Sequence, residues 1–316
     1  WQCVQENRVH LTQTDSGWAK FAWGKIYGQW ICGACIGAYD TEKFTPHGML
    51  EAIQRLRPCT FCAPATIYRF LIKEDLTQYD FSFIEHASLA GEPLNPEVFN
   101  QIERQTGFAF TGFGQSETSV LLANFPWVEI RPGSMGKPAP IYDIDLLDED
   151  GNSCEDGIVG SILLKNTDKK HPTGLFREYW KAPDAMARSW KNGVYNTGDT
   201  AWRDADGYYW FVGRNDDVIK CSGYRIGPFE VESALMEHPS VLECAITAVP
   251  DPVRGQVVKA TIVLARGYGG DSLVKELQNH VKHATAPYKY PRVVEFVDEL
   301  PSDERKIMRT AIRAND

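Results

Sequence analysis

From Pro46 to about Gly114 amphipathic helical stretches alternate with short apolar runs, and no other feature of the chain restricts its fold as strongly. The pattern predicts a helix over His47–Leu56, a strand over Thr60–Cys62, a helix over Ala65–Ile72, a strand over Phe83–Leu89, a helix over Pro96–Thr106 and a strand over Phe108–Thr111. Such alternation argues for a parallel sheet with helices packed on it. Ligands of these sheets bind beyond the carboxyl ends of the strands. Two turns fall there, Ala90-Gly91-Glu92-Pro93 and Gly112-Phe113-Gly114-Gln115-Ser116-Glu117, and both are candidate nucleotide contacts.

From Gly133 to Val212 the helices nearly vanish. Strands over Ile141–Leu147, Ile158–Leu164 and Tyr208–Val212 are punctuated by the turns Asp148–Gly151 and Asp204–Gly207, which fits a small antiparallel sheet or open barrel. Beyond Gly213 the pattern becomes α+β, with a helix over Phe229–Glu237 entered at Pro228, strands over Val241–Val249 and Val257–Leu264, a helix over Ser272–Thr285 and a strand over Arg292–Val297. The expected organisation is α/β over 1–130, β-rich over 131–213, a joint at 214–217 and an α+β domain over 218–316.

Charge and composition narrow the partners. The 316 residues are 43% hydrophobic and 24% charged, the balance of a globular chain rather than a disordered one. The formal charge of −9 lies wholly in residues 1–217 and disfavours a nucleic-acid partner, which needs a broad basic surface. No apolar run reaches the roughly 18 residues of a membrane span. A chain opening at Trp1, with neither initiator Met nor signal-peptide pattern, reads as a piece of something longer. A cytoplasmic setting is expected, or the mitochondrial matrix for a eukaryotic source.

Cys32-Gly-Ala-Cys35 and Cys59-Thr-Phe-Cys62 superficially resemble a four-thiolate zinc site, but the gap between the pairs exceeds the usual ribbon spacing and the flanks are apolar. Small buried thiols are the better expectation. His280 and His283 fall on a helix surface and are expected to face solvent.

Four stretches carry chemistry together. Gly112–Glu117 sets a hydroxyl and a carboxylate on a glycine-rich turn, where backbone N–H groups can approach phosphate and Glu117 can hold Mg²⁺. Tyr195-Asn-Thr-Gly-Asp199 ends in an acid able to accept from both hydroxyls of a ribose. Gly213–Glu232 brings Arg214 and Arg225 to the joint, where phosphate would pair with their guanidinium forks. Tyr288-Lys-Tyr-Pro-Arg292 and the Lys306 region are basic stretches able to reach anions.

With these stretches in this order, and with Asp15-Ser-Gly-Trp-Ala-Lys20, Pro132-Gly-Ser-Met-Gly-Lys-Pro138 and Ala286-Pro-Tyr-Lys-Tyr-Pro-Arg292 alongside, the chain resembles the adenylate-forming superfamily, and within it the medium-chain acyl-CoA synthetases. The resemblance implies a large domain, whose later part is residues 1–213, and a small mobile domain from about 217. It implies that Gly91, Glu92, Pro93, Thr111, Gly112, Phe113, Gly114, Gln115 and Ser116 line the adenine and phosphate site. Glu117 is the implied Mg²⁺ ligand, Asp199 the ribose acceptor, Arg214 a nucleotide contact and Asp216 the pivot. Ser222, Gly223, Tyr224, Arg254 and Arg292 are the implied coenzyme A contacts, Arg225 faces the reacting centre and Lys306 is the adenylation lysine. Ser116 stands where Thr is more usual and keeps the hydroxyl.

The implied reaction joins a carboxylate to AMP at the expense of ATP and then passes the acyl group to coenzyme A, which splits one difficult step into two. Rotation at Asp216 would exchange Lys306 for the Ser222–Arg225 face. Acetyl-specific members of the family carry Trp where this chain has Gly114, so the resemblance implies room for a medium-chain or small aryl acid. Two departures support a different reading. The family's Ser/Thr/Gly-rich phosphate loop does not occur in these 316 residues, and the last lysine motif is shortened to Pro301-Ser-Asp-Glu-Arg-Lys306. On that reading the chain is a non-catalytic nucleotide-binding or structural remnant; an adenylating enzyme with another acceptor is a third option, disfavoured by Tyr288–Arg292 and Ser222–Tyr224, and the 316 residues alone are expected to be inactive.

Overall fold

The computed structural model describes residues 1–41, 44–91, 96–106, 112–270, 272–303 and 306–313, with the side chains of 96, 97, 302, 303, 306 and 307 left aside. The expected strand over Phe108–Thr111, and the expected contacts Glu92, Pro93 and Thr111, lie outside the described residues. The chain divides into two compact units, the first comprising Trp1–Ile158, Ile162–Thr197 and Arg203–Trp210, the second Val159–Ser161, Gly198–Trp202 and Phe211–Asp316.

The first unit contains the parallel sheet that the alternation predicts. Strands β1 (Val9–Thr12), β2 (Cys35–Gly37), β3 (Thr60–Ala63) and β4 (His86–Leu89) run in the order β2-β1-β3-β4, all parallel. Every residue of β3 and β4 is buried, as strands covered on both faces must be. The helix Pro46–Leu56 starts where its sequence says it should. Proline occupies the first turn, the Thr45 hydroxyl accepts from Gly48 N–H at 3.2 Å, and the helix ends at Arg57 in the left-handed region. Its Met49, Leu50 and Ile53 join Leu11, Phe61 and Phe99 in the core. Strands β1 and β2 were not anticipated, because the apolar residues around Ala19–Ile31 belong to a helical segment containing a π-turn over Ala22–Tyr27.

The thiols divide differently from expectation. Cys59 and Cys62 are buried with Cys154, Cys221 and Cys244, but Cys32 and Cys35 are exposed, since they end a short helix and open the edge strand β2. His280 is also corrected. It turns inward, its Nε2 2.8 Å from the Ala234 carbonyl and its ring edge-on to His238, whereas His283 is exposed.

The glycine-rich stretch expected as a turn is strand as far as Gln115. Strand β5 (Gly112–Gln115) pairs antiparallel with β6 (Ser119–Ala123), which pairs with β7 (Lys137–Pro138). The β-rich region follows as β8 (Ile144–Leu147), β9 (Gly160–Leu164), β10 (Trp190–Lys191), β11 (Val194–Arg203) and β12 (Tyr209–Arg214), in the order β10-β11-β9-β8 with β12 on β11. Tyr195–Asp199 therefore lies in a strand, where its Asn-Thr-Gly-Asp composition suggested a turn.

In the second unit β13 (Ile219–Cys221), β14 (Tyr224–Ile226), β15 (Val241–Asp251) and β16 (Gly255–Leu264) form a sheet in the order β14-β13-β16-β15, with β17 (Val293–Val297) parallel to β16. The helices Pro228–Met236 and Leu273–Ala284 supply Val231, Leu235, Leu277 and Val281 to its core. No helix among the described residues is long and apolar enough to cross a membrane.

Candidate active site

In the first unit the site is built on the β5–β6 hairpin. An added Cβ at Gly114 would lie 1.6 Å from the Ser119 carbonyl oxygen, so only glycine permits the two strands to approach here, next to an irregularity in their register. The glycine therefore serves the backbone. The expectation that its missing side chain opens an acyl pocket is corrected by this contact.

The turn Ser116–Thr118 is pinned from several sides. The Thr118 hydroxyl accepts from Gln115 N–H at 3.1 Å, and the Gln115 amide donates to the Thr197 carbonyl at 2.7 Å while accepting from the Tyr195 hydroxyl at 2.9 Å. Gln115, expected among the nucleotide contacts, spends its side chain on holding the hairpin to β11. Glu117 is half-buried. Its carbonyl accepts from Phe176 N–H at 2.7 Å and its carboxylate Oε1 accepts from the Tyr179 hydroxyl at 2.8 Å. Burial, and then the Glu117 carboxylate, push the Tyr179 hydroxyl above its ordinary range and keep it a donor. Ser116 is exposed beside this carboxylate, and Phe113 is half-buried in β5. Gly91 follows β4 with φ +99°, a conformation that requires glycine, and the Lys20 ammonium donates to the preceding Ala90 carbonyl. The Gly112 Cα packs against the Trp1 ring, where a side chain would come within 2.7 Å.

The second unit gathers two groups. Asp199 is only 5% exposed, unlike a solvated turn aspartate, and follows Gly198, whose φ is +75°. The Gly198 carbonyl accepts from Asn215 N–H at 2.8 Å, and a Cβ there would lie 3.4 Å from the Arg214 guanidinium. The Thr200 hydroxyl donates to Gly213 at 2.8 Å. The middle of β11, which carries Asp199, thus runs beside the end of β12, which carries Arg214. Arg214 Nε stands 3.6 Å from Asp216, an exposed pair of little energetic weight, while Asp217 pairs with Arg313.

The residues expected to meet coenzyme A come together. Ser222 and Gly223 form the two-residue turn between β13 and β14, with φ of +50° and +84°. Ser222 N–H donates to the Arg254 carbonyl at 3.0 Å, and Tyr224 stacks on Tyr288 with ring centres 4.1 Å apart. Asp251 Oδ1 accepts from the N–H groups of Arg254 and Val253 at 2.7 and 2.9 Å. Those two bonds, with the nearby charges of Arg254 and Arg292, hold its carboxyl below the usual range. Arg292 donates to the Tyr290 hydroxyl at 2.6 Å. Arg225 is not in this group; it faces Lys220 across the β13–β14 ladder. Lys306 lies in the strand Lys306–Ile307, paired with Ser302–Asp303, and its side chain lies outside the described residues. Tyr179, Tyr142 and Asp251 escaped sequence reasoning, and Tyr290 entered it only as part of the stretch Tyr288–Arg292. Only Asp251, two residues before Val253-Arg254, carried a turn signal that would have marked it.

The AMP-binding enzyme family matches residues 2–180 and the AMP-binding enzyme C-terminal domain matches 230–305. The mitochondrial acyl-coenzyme A synthetase ACSM3 of Mus musculus is 44% identical over 99% of this chain and 55% of its own length. The mitochondrial ACSM5 of Homo sapiens is 44% identical over 100% of this chain and 55% of its own. The chain thus spans about half the length of the curated relatives it matches. Among solved structures, the anthranilate CoA ligase AuaEII in complex with anthranoyl-AMP is similar with a TM-score of 0.89 and 30% identity, over 99% of this chain and 60% of that one. A benzoate CoA ligase from Burkholderia xenovorans LB400 follows with a TM-score of 0.85 and 28% identity, over 98% and 62%. A match over more than half of the chain, with the second unit matched separately, leaves one conclusion: the chain belongs to the AMP-binding enzyme family.

Proposed function

We propose that the protein of which this chain forms part is an AMP-forming acyl-CoA ligase acting on a medium-chain or small aryl carboxylic acid. The observation that carries the reading is the gathering of Ser222, Tyr224, Arg254 and Arg292 around one hairpin, a basic and aromatic surface suited to a nucleotide thiol. The relatives' names support the same class, and their mitochondrial location favours that compartment here.

In the first half-reaction a carboxylate oxygen attacks the α-phosphorus of ATP, the bond to the β-phosphate oxygen breaks, and acyl-adenylate and pyrophosphate result. In the second the thiol of coenzyme A displaces AMP and yields the thioester. Glu117 fits a magnesium site, being a half-buried hard oxygen donor with one oxygen already oriented by Tyr179. Magnesium bound there supplies positive charge to the phosphate oxygens during transfer. Asp199 accepts from the ribose hydroxyls, and the Arg214 guanidinium, alongside Gly198, meets the nucleotide phosphate. Gly91, Glu92, Pro93, Thr111, Gly112, Phe113 and Ser116 line the base and phosphates, Lys306 serves adenylation, and Arg225 faces the reacting centre in thioester formation. Asp216 is the pivot between the two half-reactions.

The test uses the full-length protein. Pyrophosphate exchange is measured across acetate, hexanoate, octanoate, benzoate and anthranilate, followed by thioester formation with coenzyme A. Exchange with the longer or aromatic acids and thioester only with coenzyme A is the expected outcome. Preference for acetate overturns the substrate class, and adenylate without thioester overturns the acceptor.

A further inference from the structure

The segment following β9 does more than connect strands. Phe176 N–H bonds the Glu117 carbonyl at 2.7 Å, and the Tyr142 hydroxyl sits between the Thr118 carbonyl at 2.5 Å and the Thr173 carbonyl at 3.2 Å, with one proton to give. Behind them is an aromatic wall. Phe176 lies 4.7 Å from the Tyr179 ring and 5.5 Å from that of Tyr195, and Trp190 lies 5.6 Å from Tyr195. All of these residues belong to the first unit. Tyr179, itself half-buried, thus packs its ring on Phe176 and sets its hydroxyl on one oxygen of the Glu117 carboxylate.

The geometry points to Tyr179 as a positioning residue for the metal–nucleotide site: its hydroxyl fixes Oε1 of Glu117, so that Oε2 is presented to the cation without a search over rotamers. This rests on the reading that Glu117 is the magnesium ligand. Two physical arguments support it. A free glutamate loses side-chain entropy when it ligates, and a donor that has already immobilised it removes that cost from binding. Partners of this outer kind also fix the direction of the ligating lone pair. Oε2 makes no hydrogen bond or ion pair with any described residue, which leaves it for a cation.

The test compares full-length wild type, Tyr179→Phe and Glu117→Gln. Binding of Mn²⁺ in the presence of ATP, without acid substrate and so without turnover, is followed by electron paramagnetic resonance. Tyr179→Phe keeps the ring packing and is expected to bind Mn²⁺ roughly tenfold more weakly, with a melting temperature close to wild type. In pyrophosphate exchange the Mg²⁺ concentration at half-saturation should rise while kcat at saturating Mg²⁺ changes little. If Glu117→Gln weakens Mn²⁺ binding and Tyr179→Phe does not, the positioning role is refuted and the ligand assignment stands. If Glu117→Gln binds Mn²⁺ as wild type does, the ligand assignment falls and the positioning role falls with it. Should Tyr179→Phe fail to fold, Tyr179→Met takes its place, and Mn²⁺ binding at wild-type strength by that folded variant refutes the positioning role.

Discussion

Gly114 illustrates how one position can be read two ways. Set against relatives with a large side chain there, it suggests a spacious pocket; in the structure the space is filled by the Ser119 carbonyl, 1.6 Å from where a Cβ would stand. Gly114→Ala must therefore push two strands apart, and a loss of about 1–3 kcal/mol is expected, seen as a lower melting temperature with the order of preferred acids unchanged. A shift in acid preference without loss of stability would restore the pocket reading. His10 carries a different consequence. It is 1% exposed in β1, bonded to Thr60 and Thr12, and burial lowers its pKa to about 4, against the opposing pull of the Gly24 carbonyl. The folded value lies below the unfolded one, so the stabilisation is complete above about pH 6.5 and is lost as the unfolded chain takes up a proton below it. The slope is about 1.4 kcal/mol per pH unit down to the folded pKa. His10→Gln should lose less stability than wild type between about pH 7 and pH 5 in urea titrations; equal losses would show that His10 does not titrate as described.

The strands and helices that pattern reveals are those whose own residues settle the matter. Thr45-Pro46 opens one helix and Gly227-Pro228 another, and the segments of β3 and β4, buried throughout although Thr60, His86 and Ser88 are polar, are too short for a helix. Strand β11 was missed because Asn196, Gly198 and Asp199 are turn formers; its pairing with β9, β10 and β12 overrides that preference. The hairpin between β13 and β14 was likewise not anticipated, although Ser222-Gly223 between apolar residues has the composition of a two-residue turn with both φ positive. Gly223→Val forces a branched side chain to φ +84° and is expected to cost about 1–2 kcal/mol. It should also disturb Tyr224 on Tyr288 and raise the KM for coenzyme A more than it lowers pyrophosphate exchange. Equal effects on both assays would indicate general unfolding instead.

Across the whole protein the two half-reactions provide the separation that tests the assignment. Arg254→Ala and Arg292→Ala each remove a cation from the group around Asp251, and each should raise the KM for coenzyme A roughly tenfold or more while pyrophosphate exchange stays within about twofold. Loss of exchange in either variant would place that arginine in adenylation. The order of helices and strands, the parallel sheet and the family resemblance were legible because each depends on residues near one another in sequence, where propensity and periodicity act. The meetings that build the site depend on something else. Tyr179 reaches Glu117 across 62 positions, Gln115 holds β11 across 80, and Ser222 finds the Arg254 carbonyl only because β15 and β16 return the chain beside it. Such pairings have no local signature, since a hydroxyl or an amide is equally content with water until packing decides which partner stands within 3 Å.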